Sequence, residues 1–282
     1  MLDPALPSEA NALLRAHGLR PRKRWGQNFL CDRNVLDRIV RAAALTSGDH
    51  VLEIGPGLGA LTRALAGQAA SVTAVEIDPL LEPILRETTG GLPNVRLVFG
   101  DFLKLDLGSL LEEAFGGGPG VVAANIPYYI TSPLIERLMG QKGRICRMVL
   151  LVQQEFAQRL AARPGTDEYG SMSVFAQYHC RVELLGTVSR HVFVPPPEVS
   201  SAIVRLTPAL PGTVAVQDEA RFFRLVRAAF SQRRKTLLNT LSTAEAGLSR
   251  AEAEALLRRC GIDPGRRGET LSLEEFARLA AG

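Results

Sequence analysis

The segment Asn125-Ile126-Pro127-Tyr128-Tyr129 carries the most specific chemistry in the chain. An exocyclic amine on a purine is a poor nucleophile because its lone pair is delocalised into the ring. A protein that makes such a nitrogen react must accept its hydrogens and turn the freed lone pair toward the electrophile. The side-chain oxygen of Asn125 and the backbone carbonyl of Ile126 can do this, Pro127 stiffens the turn, and Tyr128 offers a face for the base. Stacking on an aromatic ring contributes about 1–3 kcal/mol per base. The competing reading is an Asn-x-Pro turn leading into a helix, since Thr131-Ser132-Pro133 is itself a good helix start.

Three further groups have the types and spacing of a nucleoside site. Glu53-Ile54-Gly55-Pro56-Gly57-Leu58-Gly59 closes one apolar run and opens a helical one, and Gly55 and Gly57 there permit a tight turn and close approach of a ligand. The spacing is G-x-G-x-G without the Lys-Ser/Thr of a phosphate loop, which favours an adenosyl cofactor without phosphates over a pyrophosphate. Val75-Glu76-Ile77-Asp78 ends the next apolar run, and Glu76 can accept hydrogen bonds from both ribose hydroxyls. Gly100-Asp101-Phe102 ends the third, where Asp101 can accept from an adenine amino group and the Phe102 amide can donate to a ring nitrogen. Each acid taken singly also reads as a helix cap or a surface charge. Together, at the ends of successive strands, they converge on one crevice.

The elements that must position these groups are legible as periodicity. Residues 51–55, 71–77, 95–100, 121–126 and 147–152 are near-continuous apolar runs bounded by Gly, Asp or Pro, the pattern of strands buried on both faces. Helical spacing fills the gaps, as in ALTRALAGQ and TSPLIERLMG, so the expected fold is α/β, a doubly wound and mainly parallel sheet. Residues 175–188 and 200–208 read as strands joined through the turn FVPPPEV, adding antiparallel strands to one edge. After Pro208 a linker leads to short amphipathic helices from Arg221 onward. The predicted division is therefore 1–208, with a basic N-terminal segment over 1–41, and a small all-helical domain over 209–282.

With 282 residues, 46% hydrophobic and 22% charged, the chain excludes disordered and collagen-like classes. It has no apolar run long enough for a membrane span and no secretory signal, which makes the cytoplasm the expected compartment. Cys31, Cys146, Cys180 and Cys260 form no C-x-x-C pair and His17, His50, His179 and His191 no H-x-x-x-H pattern, so reduced thiols and no metal are expected. The surplus of four positive charges is clustered: residues 20–41 hold seven basic side chains against two acids, and residues 221–282 hold twelve against seven. Such clusters are the footprint of a polyanion, or else a solvated face. Arg22, Lys23 and Arg24, with Arg233, Arg234 and Lys235, are the candidate phosphate contacts.

In order along the chain, RKRWGQNFL, VLEIGPGLGALT, VEID, GDFLKLD, NIPYYITSPLI, QQEFAQR, SRHVFVPPPEVSSAIVRL and FSQRRKTLLNTL resemble the KsgA family of small-subunit ribosomal RNA adenine dimethyltransferases over roughly residues 20–280. The resemblance implies a Rossmann-like methyltransferase fold and S-adenosyl-L-methionine as donor. The implied substrate is two adjacent adenosines in the 3′-terminal hairpin loop of 16S rRNA, each converted to N6,N6-dimethyladenosine within an immature small subunit. It places cofactor contacts on Asn28, Leu30, Gly55, Glu76, Asp101 and Asn125, and a second aromatic against the target base at Phe193. Many members have Leu where this chain has Ile126; because only the carbonyl is used, no loss is expected. A monomer is the expected state. Two alternatives stand beside this: a 23S rRNA methylase of the erythromycin-resistance type, and a non-catalytic RNA-binding assembly factor.

Overall fold

The apolar runs over 51–55, 71–77, 121–126 and 147–152 form strands that must be covered on both faces, and the fold does this by alternating them with helices. The run over 95–100 instead becomes an edge strand, half-buried with Arg96 exposed, because among the described residues it has a neighbour on one side only. The computed structural model describes residues 2–209 and 214–282, apart from the side chains of Lys23 and Lys142; residues 210–213 of the expected linker lie outside this set. The first elements are α1 (Pro7–Ala16), β1 (Phe29–Leu30), α2 (Arg33–Ala43), β2 (His50–Ile54), α3 (Ala60–Ala66) and β3 (Ser71–Glu76). There follow α4 (Glu82–Thr89), β4 (Val95–Phe99), α5 (Leu107–Phe115), β5 (Gly120–Asn125), α6 (Thr131–Met139) and β6 (Ile145–Gln153). Then come α7 (Gln154–Ala161), α8 (Ser171–His179), β7 (Cys180–Val188), β8 (Phe193–Val194) and β9 (Ser201–Pro208). The chain ends with α9 (Glu219–Phe230), α10 (Leu237–Leu241), α11 (Arg250–Arg259) and α12 (Leu273–Ala281).

Among the described residues the main sheet has seven strands in the order β4-β3-β2-β5-β6-β9-β7. The pairs β4·β3, β3·β2, β2·β5 and β5·β6 are parallel, and β9 runs antiparallel to β6. The doubly wound, mainly parallel α/β fold is therefore present, and its order reverses at β2, where the next strand in sequence lies on one side and β5 on the other. Val121 to Ala124 and Met148 to Val152 are fully buried. At about 1.5–3 kcal/mol for each fully buried Val or Leu side chain, these strands hold the sheet together. Helix α2 begins at Asp32, whose side chain accepts from the Val35 amide at 2.9 Å, and buries Val35, Leu36, Ile39 and Val40 in the core shared with Val51, Val121 and Val149.

The chain divides into two compact units, residues 1–157 with 183–208, and residues 158–182 with 209–282. The helical unit expected over 209–282 thus also takes in α8 and its flanks. Residues 175–179, expected as the start of a strand over 175–188, are the end of α8: Phe175 packs on Phe223 at 5.3 Å and Tyr178 on Phe222 at 5.0 Å, so tertiary packing overrides β propensity. FSQRRKTLLNTL is not one helix. Helix α9 stops at Phe230 and α10 restarts at Leu237. In this unit Ser249 and Ser272 each form a capping box, with Glu252 and Glu275, over a core of Phe222, Leu225, Leu237, Leu257 and Phe276.

Candidate active site

The sheet order brings the carboxyl ends of β4, β3, β2 and β5 side by side, and the residues singled out in the sequence follow those ends. After β2 the chain turns through Gly55, Gly57 and Gly59, with φ of 75°, 58° and 87°. A Cβ at Gly57 would lie 2.8 Å from the Phe29 ring, so only glycine lets the turn sit there.

At the end of β3, Glu76 is buried, with Oε2 accepting from the Gly57 amide at 3.1 Å and Oε1 from the Asp78 amide at 2.8 Å. Burial lifts its carboxyl to about 7; those two amides oppose the shift and the Asp78 charge adds to it. At the end of β5, Asn125 donates from Nδ2 to the Asn28 carbonyl at 3.1 Å, which leaves Oδ1 as the acceptor. The Ile126 amide donates to the Leu151 carbonyl at 3.0 Å, and no hydrogen bond among the described residues is donated to the Ile126 carbonyl itself. Tyr128 is fixed by its hydroxyl, 3.0 Å from Ser201 Oγ.

These groups surround a cleft with about 800 Å³ of empty space, part of it open solvent. Asn28, Leu30, Gly55, Gly57, Glu76, Asn125, Ile126, Pro127, Tyr128 and Phe193 all line it. Leu30 and Phe193 arrive together because β1 and β8 pair as a two-stranded ribbon, too short to show a pattern in the sequence. Asp101 and Phe102 do not line the cleft. Phe102 is buried, and Asp101 accepts from the Leu103 amide at 3.0 Å within its own turn.

Glu53 also lines the cleft, and sequence reasoning gave it no role. It is 1% exposed, and its Oε2 has no partner among the described residues. Burial raises its carboxyl to about 8, the Thr62 hydroxyl opposes from nearby without the geometry of a hydrogen bond, and the Glu76 charge adds to the rise. The signal was present: one acid inside the otherwise apolar run Val51 to Ile54. Trp25 lines the cleft too, with its buried Nε1 unpartnered among the described residues.

The basic residues divide. Arg22 pairs with buried Asp78 at 3.3 Å, the Arg24 guanidinium lies 5.0 Å over the Trp25 ring, and the side chain of Lys23 is outside the described set. Arg233 pairs with Glu269 at 3.1 Å and donates to the Asp167 carbonyl. Arg234 and Lys235 are exposed without an ion pair among the described residues, as are Arg224 and Arg227 on α9, which the sequence pattern did not single out. Among the described residues no group of three or more His, Cys, Asp and Glu could hold a metal ion, and no helix is long and apolar enough to cross a membrane.

A doubly wound sheet with a glycine turn after β2, a buried carboxylate at the end of β3 and an Asn-Ile-Pro-Tyr turn at the end of β5 defines an S-adenosylmethionine-dependent methyltransferase. The ribosomal RNA adenine dimethylase family matches residues 18–281. The chain is 48% identical over 281 residues to ribosomal RNA small subunit methyltransferase A of Moorella thermoacetica, covering 98% of this chain and 97% of that one. It is 46% identical to the protein of that name from Geobacillus thermodenitrificans, with 99% and 96% covered. A dimethyladenosine transferase from Plasmodium falciparum superposes with a TM-score of 0.75 at 28% identity, over 88% of this chain and 94% of that one. The 23S rRNA methyltransferase ErmE gives 0.68 at 31% identity, over 90% and 98%.

The chain belongs to the ribosomal RNA adenine dimethylase family, and it is an S-adenosylmethionine-dependent enzyme that methylates adenine in ribosomal RNA. The cleft fits that cofactor. The turn at Gly55 and Gly57 allows close approach, Glu76 offers acceptors, and Glu53 Oε2 is a buried oxygen in want of a donor, which the cofactor's ammonium group has to give.

Proposed function

We propose that the substrate is the pair of adjacent adenosines in the 3′-terminal hairpin loop of 16S rRNA, dimethylated at N6 during maturation of the small subunit. The near-full-length relatives named for the small subunit, at 46–48% identity, support this over the 23S target of ErmE, at 31%. The observation that carries the chemistry is the hydrogen bond from Asn125 Nδ2 to the Asn28 carbonyl. It leaves Oδ1 to accept one N6 hydrogen while the unpartnered Ile126 carbonyl accepts the other, so the nitrogen lone pair is freed from the ring.

S-adenosylmethionine, when bound, supplies an electrophilic methyl group. Glu76 would hold its ribose, Glu53 its ammonium group, and Gly55, Gly57, Asn28 and Leu30 the walls around it. Tyr128, immobilised by Ser201, and Phe193 would clasp the base. Asp101 and Phe102, by their place after β4, would meet the adenine, Asp101 accepting from its amino group while Oδ1 keeps the Leu103 amide. The helical unit, with Arg224, Arg227, Arg234 and Lys235, would dock on the ribosomal particle, and the chain would act as a cytoplasmic monomer.

The test is mass spectrometry of RNA after incubating the protein and labelled S-adenosylmethionine with undermethylated small subunits, naked RNA serving as control. Label on both loop adenosines of the particle is expected. Label on large-subunit RNA, or on neither adenosine, overturns the reading. If Asn125→Ala still supports subunit assembly while losing methylation, a separate assembly role is added to the catalytic one.

A further inference from the structure

Asp78 is a carboxylate that is 2% exposed and does not line the cleft. Its Oδ2 accepts from Gln27 Nε2 at 2.9 Å, and its Oδ1 accepts from Arg22 Nη1 at 3.3 Å. Between those two residues the loop closes on itself, because the Arg22 amide donates to Gln27 Oε1 at 2.8 Å. One residue further on, Asn28 donates from Nδ2 to the Gly26 carbonyl at 3.1 Å, and its own carbonyl accepts from Asn125 Nδ2 at 3.1 Å. Gly26 has a φ of 58°, and a Cβ there would lie 3.3 Å from Pro127 and 3.5 Å from the Tyr129 ring. The segment 22–28 therefore lies against the Asn-Ile-Pro-Tyr turn. A chain of hydrogen bonds and covalent backbone runs from a buried carboxylate after β3 to the side chain of Asn125 at the end of β5.

An asparagine amide is planar, and its χ2 torsion is broad and roughly two-fold when nothing holds it. Fixing Nδ2 on one carbonyl therefore fixes the direction of Oδ1. That carbonyl belongs to a loop with little regular structure, so its place depends on what ties the loop down. Asp78 provides two such ties, one charge-assisted bond and one amide bond, both received by a side chain that water does not reach.

We propose that Asp78 is a positioning residue for methyl transfer, holding residues 22–28 through Gln27 and Arg22 so that the Asn28 carbonyl aims Oδ1 of Asn125 at the target amine. This rests on the acceptor role given to Asn125 above. It also gives Arg22 a task other than binding phosphate.

The experiment uses the full-length enzyme on undermethylated small subunits, with Gln27→Ala as the first variant because Gln27 is only half-buried. Asp78→Asn, which keeps one acceptor, is the second. Methyl transfer is followed in single turnovers at saturating cofactor and RNA, alongside cofactor affinity and melting temperature. The saturating rate should fall about 10- to 100-fold in both variants, the range for a slightly misplaced catalytic group. RNA affinity and, for Gln27→Ala, melting temperature should hold.

In an Asn125→Ala background, Gln27→Ala should lower the residual rate no further. A wild-type saturating rate in Gln27→Ala overturns the proposal whatever the folding of Asp78→Asn. So does a drop of equal size in the Asn125→Ala background, because the clasp would then act on something other than Asn125. Near-wild-type turnover by Asn125→Ala alone removes the acceptor role itself, and measuring that variant by itself tells the two failures apart.

Discussion

The carboxylates at the carboxyl ends of β2 and β3 and those of the helical unit are built to opposite rules. Glu53, Glu76 and Asp78 are 1%, 5% and 2% exposed, and Glu53 and Glu76 are held with their proton affinity raised by burial. Glu252 and Glu275 stand at helix starts, where hydrogen bonds from Ser249 and Arg266, respectively, hold their carboxyls below the usual range. A group whose charged form is disfavoured in the fold costs stability near neutrality, whereas one whose charged form is favoured contributes it. The second set needs nothing outside the chain to explain it. In the first set Glu53 does, because its buried Oε2 has no partner among the described residues.

The largest expected effect comes from removing a group that faces the ligand. On the proposed mechanism Asn125→Ala deletes one of two acceptors for the amine, a loss of roughly 2–4 kcal/mol in the transition state, or about 30- to 1000-fold in turnover. Because the one hydrogen bond described for the Asn125 side chain goes to the Asn28 carbonyl, and its backbone pairing in β5 survives the change to Ala, melting temperature should change little. Turnover within a few-fold of wild type, measured on undermethylated subunits, would remove Asn125 from the mechanism.

Next in size is the dependence of stability on pH without cofactor. Glu53 and Glu76 are raised from the ordinary 4.5 to about 8 and about 7. Below pH 4.5 the folded and unfolded chains both hold these protons, and the stability they confer is fully present. Above it the unfolded chain releases them first, so stability falls as pH rises and is lost through the folded values near 7 and 8. The fall should be on the order of a few kcal/mol between about pH 5 and 8.5, read from urea unfolding. Glu53→Gln, which copies the protonated form, should flatten it. A wild-type profile that is level or rising would contradict the burial argument.

The same contrast explains what could be read from the sequence. Glu76 and Asn125 were legible because each ends a continuous apolar run, and the runs alone fix the sheet and bring their ends together. Glu53 was visible as an acid inside such a run and went unused. The fate of the arginines was not legible, because pairing joins residues far apart in the chain. Arg22 meets Asp78 56 residues away, and Arg233 meets Glu269 36 away. Composition counts those charges as free; the fold pairs them with carboxylates. Residues 175–179 fail for a related reason, since their aromatic rings serve a helical core made with α9.

In the helical unit the pH effect should have the other sign and a smaller size. Glu275 accepts from both Arg266 Nη1 at 2.6 Å and the Ser272 amide at 2.9 Å. Its folded value lies below the ordinary 4.5, so the contribution is present above that and is lost as pH falls through the folded value. Arg266→Ala and Ser272→Ala should each cost about 1 kcal/mol near pH 7. As pH falls through the folded value of Glu275 the Arg266→Ala deficit should shrink toward zero. Calorimetric melting of the variants over a descending pH series checks it, and a deficit undiminished down to the acid limit of the native state would mean that packing of the arginine stem, not the ion pair, carries the effect.

The smallest effect separates cations held by acids from those without an ion pair among the described residues. Arg233 is tied to Glu269 and to the Asp167 carbonyl, whereas Arg234 and Lys235 are exposed without an ion pair among the described residues. Removing one cation that touches a phosphate should flatten the plot of log affinity against log salt by about 0.7 for a single-stranded site. Arg234→Ala/Lys235→Ala is therefore expected to reduce the slope for binding to undermethylated subunits by about 1.4, leaving melting temperature alone. Arg233→Ala should do the reverse, lowering the melting temperature by a few degrees as its surface ion pairs go, with the salt slope nearly unchanged. Because the catalytic cleft is lined wholly by the first unit, methylation of a short RNA should be unaffected by either change. If Arg233→Ala flattens the slope as much as the double variant does, the ion pair with Glu269 opens on binding and Arg233 belongs with the phosphate-binding cations after all.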